Sequence, residues 1–198
     1  MEFPPGEGWS EENGLSLLDY GCGSGILSLA ALKLGRVRKV VCVDIEAEAL
    51  VTADANFKLN GYQNDINDRD YYELFHTRQV EPYCFRNGGG TGIDICVANI
   101  LIGQLVRSSM VSALMTNIRP NGLICFSGIR PSEVEALKSA YDPYLDWLDH
   151  QFYAELDAQQ TEGSIESYGF DVGRWTRVVG KVKPGGIDVR DMSEMAIM

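Results

Sequence analysis

Apolar runs of five or six residues alternate with longer segments of helical composition along most of the chain. Residues 15–19 form one such run, which ends at Gly-Cys-Gly-Ser-Gly, the pattern of a buried strand entering a glycine turn. Residues 26–34 are almost wholly apolar and rich in helix formers, as in a helix packed on a sheet, and Gly35 suits its C-cap. Residues 39–44 predict a second buried strand. Residues 46–59 predict a helix with Ala49, Ala53 and Phe57 on one face, ended by Asn60-Gly61. A third strand is expected over 71–77 and a loop over 87–92, within a stretch whose pattern is otherwise hard to read. Strands four and five are expected over 94–99 and 123–127. Between them, Leu105, Val106, Met110, Leu114 and Ile118 predict one helix over 104–118, followed by a turn at Arg119-Pro120-Asn121-Gly122. Residues 133–141 predict a helix with Ser132 as N-cap. Two late strands are expected near 147–156 and over 176–182, with a polar, acidic loop between them. Strands alternating with helices make an α/β sheet of βαβ units, parallel over its first five strands. The last two, with no clear helix between them, are expected to pair antiparallel. The expected domain covers 15–183, between an N-terminal loop over 1–14 and a C-terminal tail over 184–198 that lacks a core pattern.

At 198 residues the chain is long enough for one domain that needs no disulfide or metal staple. Its 45% hydrophobic and 23% charged residues exclude a disordered chain, and no apolar run reaches the roughly 18 residues of a membrane span. Lys plus Arg is 17 against 28 for Asp plus Glu, a net charge of -11. That balance repels polyanions, disfavours direct nucleic-acid binding and mildly favours a basic protein partner. The cysteines, Cys22, Cys42, Cys84, Cys96 and Cys125, are odd in number and form no CxxC pair. Three sit in apolar runs, so the reading is buried free thiols in a reducing compartment and no metal site. His76 and His150 have no partner at metal-ligand spacing. The N-terminal segment over 1–14 is acidic and lacks an apolar run, unlike a secretory or transit signal. The expected location is therefore cytoplasmic, or an organelle if a segment precedes this sequence.

Chemistry concentrates at three strand ends, where α/β sheets bind their ligands. The first is Asp19-Tyr20-Gly21-Cys22-Gly23-Ser24-Gly25. Its GxGxG spacing departs from the dinucleotide fingerprint, since Ile26 stands where the last glycine would be. The acid two residues before Gly21 suits a cationic ligand group better than a pyrophosphate; a tight turn without a ligand is the other reading. The second is Asp44, which either accepts both hydroxyls of a ribose or caps the following helix. The third is Asn99, which either orients a target nitrogen through its amide or caps its own turn. Tyr20 and Cys22 read as packing residues, and Glu73, Glu81 and Asp94 remain open as helpers. The two histidines read as ordinary surface or strand residues.

With these motifs in order, DYGCGSGILSLAALKLG, VDIEAEAL, NFKLNG, DICVANILIGQL and RPNGLICFSGI, the sequence resembles the bacterial ribosomal protein L-eleven methyltransferase family over roughly residues 15–182. The resemblance implies a Rossmann-like class I methyltransferase sheet, strand order 3-2-1-4-5-7-6 with the last strand antiparallel and helices on both faces. It implies S-adenosylmethionine as cofactor and methyl transfer to lysine or other amino nitrogens of a protein, a ribosomal protein first of all. Asp19, Gly21, Gly23 and Gly25 would form the methionine-end pocket. Asp44 would hold the ribose, Ile45 would lie against the adenine, and Asn99 would bind near the methyl donor and position the acceptor amine. The adenine edge would be met near Arg78 or Gln79. Little sequence precedes Asp19, and Pro4-Pro5-Gly6-Glu7-Gly8-Trp9 contains no threonine. The family's N-terminal recognition domain and its glycine- and threonine-rich cofactor lid are therefore expected to be missing. Two other readings stay open: a truncated, non-catalytic cofactor-binding domain, and an RNA or small-molecule methyltransferase. VANIL differs from the NPPY-like motif expected where base or amide nitrogens are methylated.

Overall fold

The computed structural model describes residues 14–62, 71–80, 82–85, 92–148 and 175–185. Seven strands make one sheet: β1 (Leu15–Tyr20), β2 (Val37–Asp44), β3 (Tyr72–His76), β4 (Ile93–Ala98), β5 (Ile118–Ile129), β6 (Leu145–Trp147) and β7 (Thr176–Val182). Their order is β3-β2-β1-β4-β5-β7-β6. The pairs among β1 to β5 are parallel, and β7 runs antiparallel to both β5 and β6. The helices are α1 (Ile26–Lys33), α2 (Ala47–Leu59), α3 (Ile102–Leu105), α4 (Ser108–Met115) and α5 (Val134–Tyr141). Order and strand directions are those implied by the resemblance. None of the described helices is long and apolar enough to cross a membrane.

Successive side chains of a strand point to opposite faces, and here that alternation separates two cores. Leu18, Val41, Val43, Cys96 and Ala98 pack on the face covered by α4 and α5. Leu17, Val40 and Cys42 pack on the other face with Leu29 and Leu32 of α1 and Ala53 and Phe57 of α2. Because β1, β2 and β4 are buried on both faces, they read as unbroken apolar runs in the sequence. Phe57 stacks on Tyr72, with centroids 4.3 Å apart. The Tyr72 hydroxyl donates to Asp54 at 2.7 Å, which ties α2 to β3.

Three expectations need correction. The single helix over 104–118 is two helices, broken at Val106 and Arg107. At 100° per residue Leu105 and Leu114 would face opposite sides of one helix. Both are fully buried, and the break re-phases the chain so that each reaches the core. The turn at Arg119–Gly122 lies inside β5: Ile118 pairs with Ile93 and Leu123 with Ile95, so five steps on β5 match two on β4. Asn121, with φ 63°, turns the extra residues out of the ladder. Ser132 caps nothing; it lies in a short 3-10 turn, Pro131–Glu133, before α5, and the Glu133 carboxylate accepts the Arg130 N–H at 2.9 Å. The N-terminal stretch 1–13, most of 87–92, and the stretches 149–174 and 186–198, with His150 and Glu81, lie outside the described residues.

Candidate active site

The glycine loop joins the end of β1 to α1 at the C-terminal edge of the sheet. The Gly21 and Cys22 N–H groups both donate to the Val43 carbonyl, at 2.7 and 3.1 Å, which folds the loop back over β2. All three glycines have positive φ, and they serve different ends. A Cβ on Gly21 would come within 2.1 Å of the Ile100 side chain, so this position lets the chain after β4 close against the loop. Gly23 has open space around it and gives its N–H to Asp44 Oδ2 at 2.8 Å. Gly25 begins α1 and lies against Ala53 and Phe57 of α2.

The two strand-end carboxylates differ in their surroundings. Asp19 is buried, and its Oδ2 accepts the Ser28 hydroxyl at 2.8 Å and the Ser28 N–H at 3.2 Å. It faces the first turn of α1 and pins the loop to that helix. Burial pushes its carboxyl above the ordinary range; the Ser28 bonds counter this, and the Asp44 charge adds to it. Asp44 reaches the cleft, with Oδ2 on the Gly23 N–H and Oδ1 on the Glu46 N–H at 3.0 Å. It therefore braces the entry to α2 and faces a ligand space at once. Each carboxylate oxygen keeps a lone pair for a further donor.

The cleft between the loop and the chain after β4 holds about 530 Å³, within the range of small-molecule sites. Tyr20, Gly21 and Asp44 line one part of it. Ile45 and Leu101, 61% and 70% exposed, lie in the chain after the two strands that flank β1 and offer apolar surface. Asn99 is exposed and is not among the residues that line the cleft; the next residue, Ile100, is.

Several lining residues were not singled out in the sequence. Thr77 and Val80 come from the 3-10 turn Thr77–Gln79 and its end, inside the stretch with no clear pattern. Neighbouring Arg78 and Gln79, expected at the adenine edge, do not line the cleft; Gln79 Oε1 accepts the His76 N–H at 2.7 Å. Gln104, Arg107 and Met110 form the far wall. In a one-helix reading they were ordinary helix positions, and nothing in the local pattern marked their shared face as a cleft wall. Two suggested helpers are engaged elsewhere. Glu73 pairs with Lys39 at 2.6 Å. Asp94 lies at the opposite edge of the sheet, where it binds the Ser16 N–H and hydroxyl and Arg119.

The sequence profile of the family described as ribosomal protein L11 methyltransferase (PrmA) matches residues 8–155. A ribosomal protein L11 methyltransferase of Cellvibrio japonicus is 38% identical over 147 residues, covering 73% of this chain and 45% of the relative. The chain thus spans about half the length of the curated relatives it matches. Among solved structures, ribosomal protein L11 methylase from Lactobacillus delbrueckii subsp. bulgaricus superposes with a TM-score of 0.58 at 24% identity, over 86% of this chain and 71% of that one. The [4+2]-cyclase SpnF superposes with a TM-score of 0.59 at 12% identity, over 87% and 75%. The fold alone therefore carries more than one kind of chemistry. The profile match and the relative's identity are what decide: this chain belongs to the ribosomal protein L11 methyltransferase family.

Proposed function

We propose that this chain binds S-adenosylmethionine in the cleft and transfers its methyl group to amino nitrogens of a protein, a ribosomal protein of the L11 kind. The observation that carries the reading is the cradle around Asp44. Its carboxylate is fixed by the Gly23 and Glu46 N–H groups at the floor of a 530 Å³ cleft, beside apolar Ile45 and Leu101. A ribose diol needs such an acceptor, and an adenine ring needs two apolar faces. The residues present fit the cofactor: Asp44 offers a fixed carboxylate, and Tyr20, Ile45 and Leu101 offer apolar surface, within one cleft.

When bound, the cofactor supplies an electrophilic sulfonium methyl, and the acceptor nitrogen forms the new C–N bond as the C–S bond breaks. The chain's own contribution is binding and orientation, which can account for much of the acceleration in such a displacement. Asp44 holds the ribose end. Asp19 acts from behind the loop, through its hold on α1 and the field of its charge. Asn99, next to the cleft-lining Ile100, accepts an N–H of the incoming amine, whose lone pair then points at the methyl. The amine's surplus proton passes to water. The net charge of -11 favours a basic protein as acceptor over RNA.

Calorimetric titration of the chain with S-adenosylhomocysteine tests the reading. Micromolar binding, weakened at least tenfold in Asp44→Ala, is expected. Absence of binding in the parent chain would sink it. Binding without methyl transfer to L11 protein would favour the cofactor-binding domain without catalysis.

A further inference from the structure

The Asn99 side chain lies against an irregularity of the neighbouring strand. In the β5–β7 pairing, Phe126 lies opposite Val178 and Ile129 opposite Thr176. Ser127 and Gly128 on β5 thus face the single residue Arg177 on β7, which is a β-bulge. Gly128 takes the left-handed conformation, φ 74°, at this point. Bulges of this kind bend a strand and re-aim its backbone, and they are over-represented beside active sites. Here the bend brings the Gly128 α-carbon against the end of β4. A Cβ on Gly128 would stand 2.3 Å from Asn99 Oδ1 and 3.5 Å from its Cγ, and real Cβ atoms are essentially never within 3.0 Å of a neighbour. The space a side chain would fill is occupied by the Asn99 amide. That amide makes no hydrogen bond with any other described residue, so no polar partner there competes with the space beside Gly128 in setting its direction.

We infer that Gly128 is a positioning residue for methyl transfer: its bulge and missing side chain leave the room that the observed rotamer of the Asn99 amide, the group that receives the acceptor nitrogen, requires. The inference rests on the catalytic placement of Asn99 proposed above. Any side chain at 128 displaces the amide and leaves the Asp44 end of the cleft, on the other side of β1, unchanged. Gly128 does not touch cofactor or acceptor; it acts through Asn99.

The test is a double-substitution cycle on the full chain: Gly128→Ala, Asn99→Ala and the pair together. Gly128→Ala is expected to lower kcat at least tenfold, with S-adenosylhomocysteine affinity within twofold of the parent. The pair is expected to be no slower than Asn99→Ala alone, since the amide acted on is already gone. Thermal midpoints give a readout that needs no turnover. Asn99→Ala should raise the midpoint in the Gly128→Ala background, because it relieves the overlap, and should not raise it in the parent. Equal effects of Asn99→Ala in both backgrounds would mean that Gly128 serves only its own φ, and the inference falls. A coupled cycle in a chain that transfers no methyl to L11 protein would instead overturn the catalytic reading of Asn99 and leave the geometric coupling standing. If Gly128→Ala does not fold, recovery of folding in the paired variant supports the inference, and failure of both overturns it.

Discussion

Asp19 and Asp44 are both carboxylates at the C-terminal ends of adjacent strands, yet their surroundings give them different work. Asp44 has one edge toward the cleft and both oxygens on backbone donors. Asp19 is sealed beneath the loop, where burial raises its pKa above the ordinary 3.8, against the pull of its bonds to Ser28. The linkage has a definite sign. The folded state holds the Asp19 proton more tightly than the unfolded chain does. The stability tied to that proton is complete below pH 3.8 and is lost as pH rises through the raised folded value. A chain carrying Asp19→Asn has no such loss. Its thermal midpoint is expected to gain on the parent as pH rises from below 3.8 toward neutrality, while its affinity for S-adenosylhomocysteine falls with the missing charge. Midpoints of the two proteins that keep a constant separation across that range would show that Asp19 ionises as easily in the fold as outside it. A residue retained at an energetic disadvantage fits a role in binding better than one in stability.

Among the elements, legibility followed how many constraints each segment meets. β1, β2 and β4 are buried on both faces, so their apolar runs announce them, and α1 and α2 end at Gly35 and Asn60-Gly61 as the turn chemistry suggests. The candidate site residues Gly21, Asp44 and Ile45, which line the cleft, were legible as strand-end positions for the same reason, because the strand end is where the run stops. The α3–α4 break carries no proline and no glycine at Val106 or Arg107. It is imposed by the need to bury Leu105 and Leu114 together, and such tertiary demands leave no local mark. Gly128 was visible only as part of a Ser-Gly-Ile motif; that its Cα lies against Asn99 follows from a bulge that depends on β7, a strand remote in sequence. The short α3 owes its place to α5, since the buried Tyr141 hydroxyl donates to the Leu105 carbonyl at 2.8 Å. Tyr141→Phe removes that bond and leaves a buried carbonyl without its partner, at about 1–2 kcal/mol. Because α3 carries Gln104 into the cleft wall, the variant is expected to lose affinity for S-adenosylhomocysteine a few-fold, together with a midpoint lower by several degrees. A midpoint and affinity both equal to the parent's would show that α3 is placed without α5.

At the scale of the molecule, one sheet divides two cores that share no buried side chain but do share every central strand. Leu17 points into one core and Leu18 into the other, and Val40 and Val41 repeat the division on β2. The hydrogen-bonded ladder joins the cores edge to edge, so loss of packing on one face removes the support of the strands that frame the other. Leu18→Ala, on the α4 and α5 face, is expected to be destabilising by about 2–5 kcal/mol, and Phe57→Ala, on the α1 and α2 face, by about 3–5 kcal/mol. If the sheet couples the faces, each variant shifts one common unfolding transition seen alike by far-ultraviolet dichroism and by tryptophan fluorescence. The cleft belongs to this same unit, because it is lined by Tyr20 of β1 and by residues from both sides of β1. Saturating S-adenosylhomocysteine should then raise the common transition in the parent and in both core variants. At a hundred times Kd the linkage is worth about 2.7 kcal/mol, and for a chain of this size each kcal/mol moves the midpoint by roughly 2–4 °C. Two transitions, with Phe57→Ala shifting one and Leu18→Ala the other, would show that the faces unfold separately. The ligand would then raise only the transition of the face that carries the glycine loop.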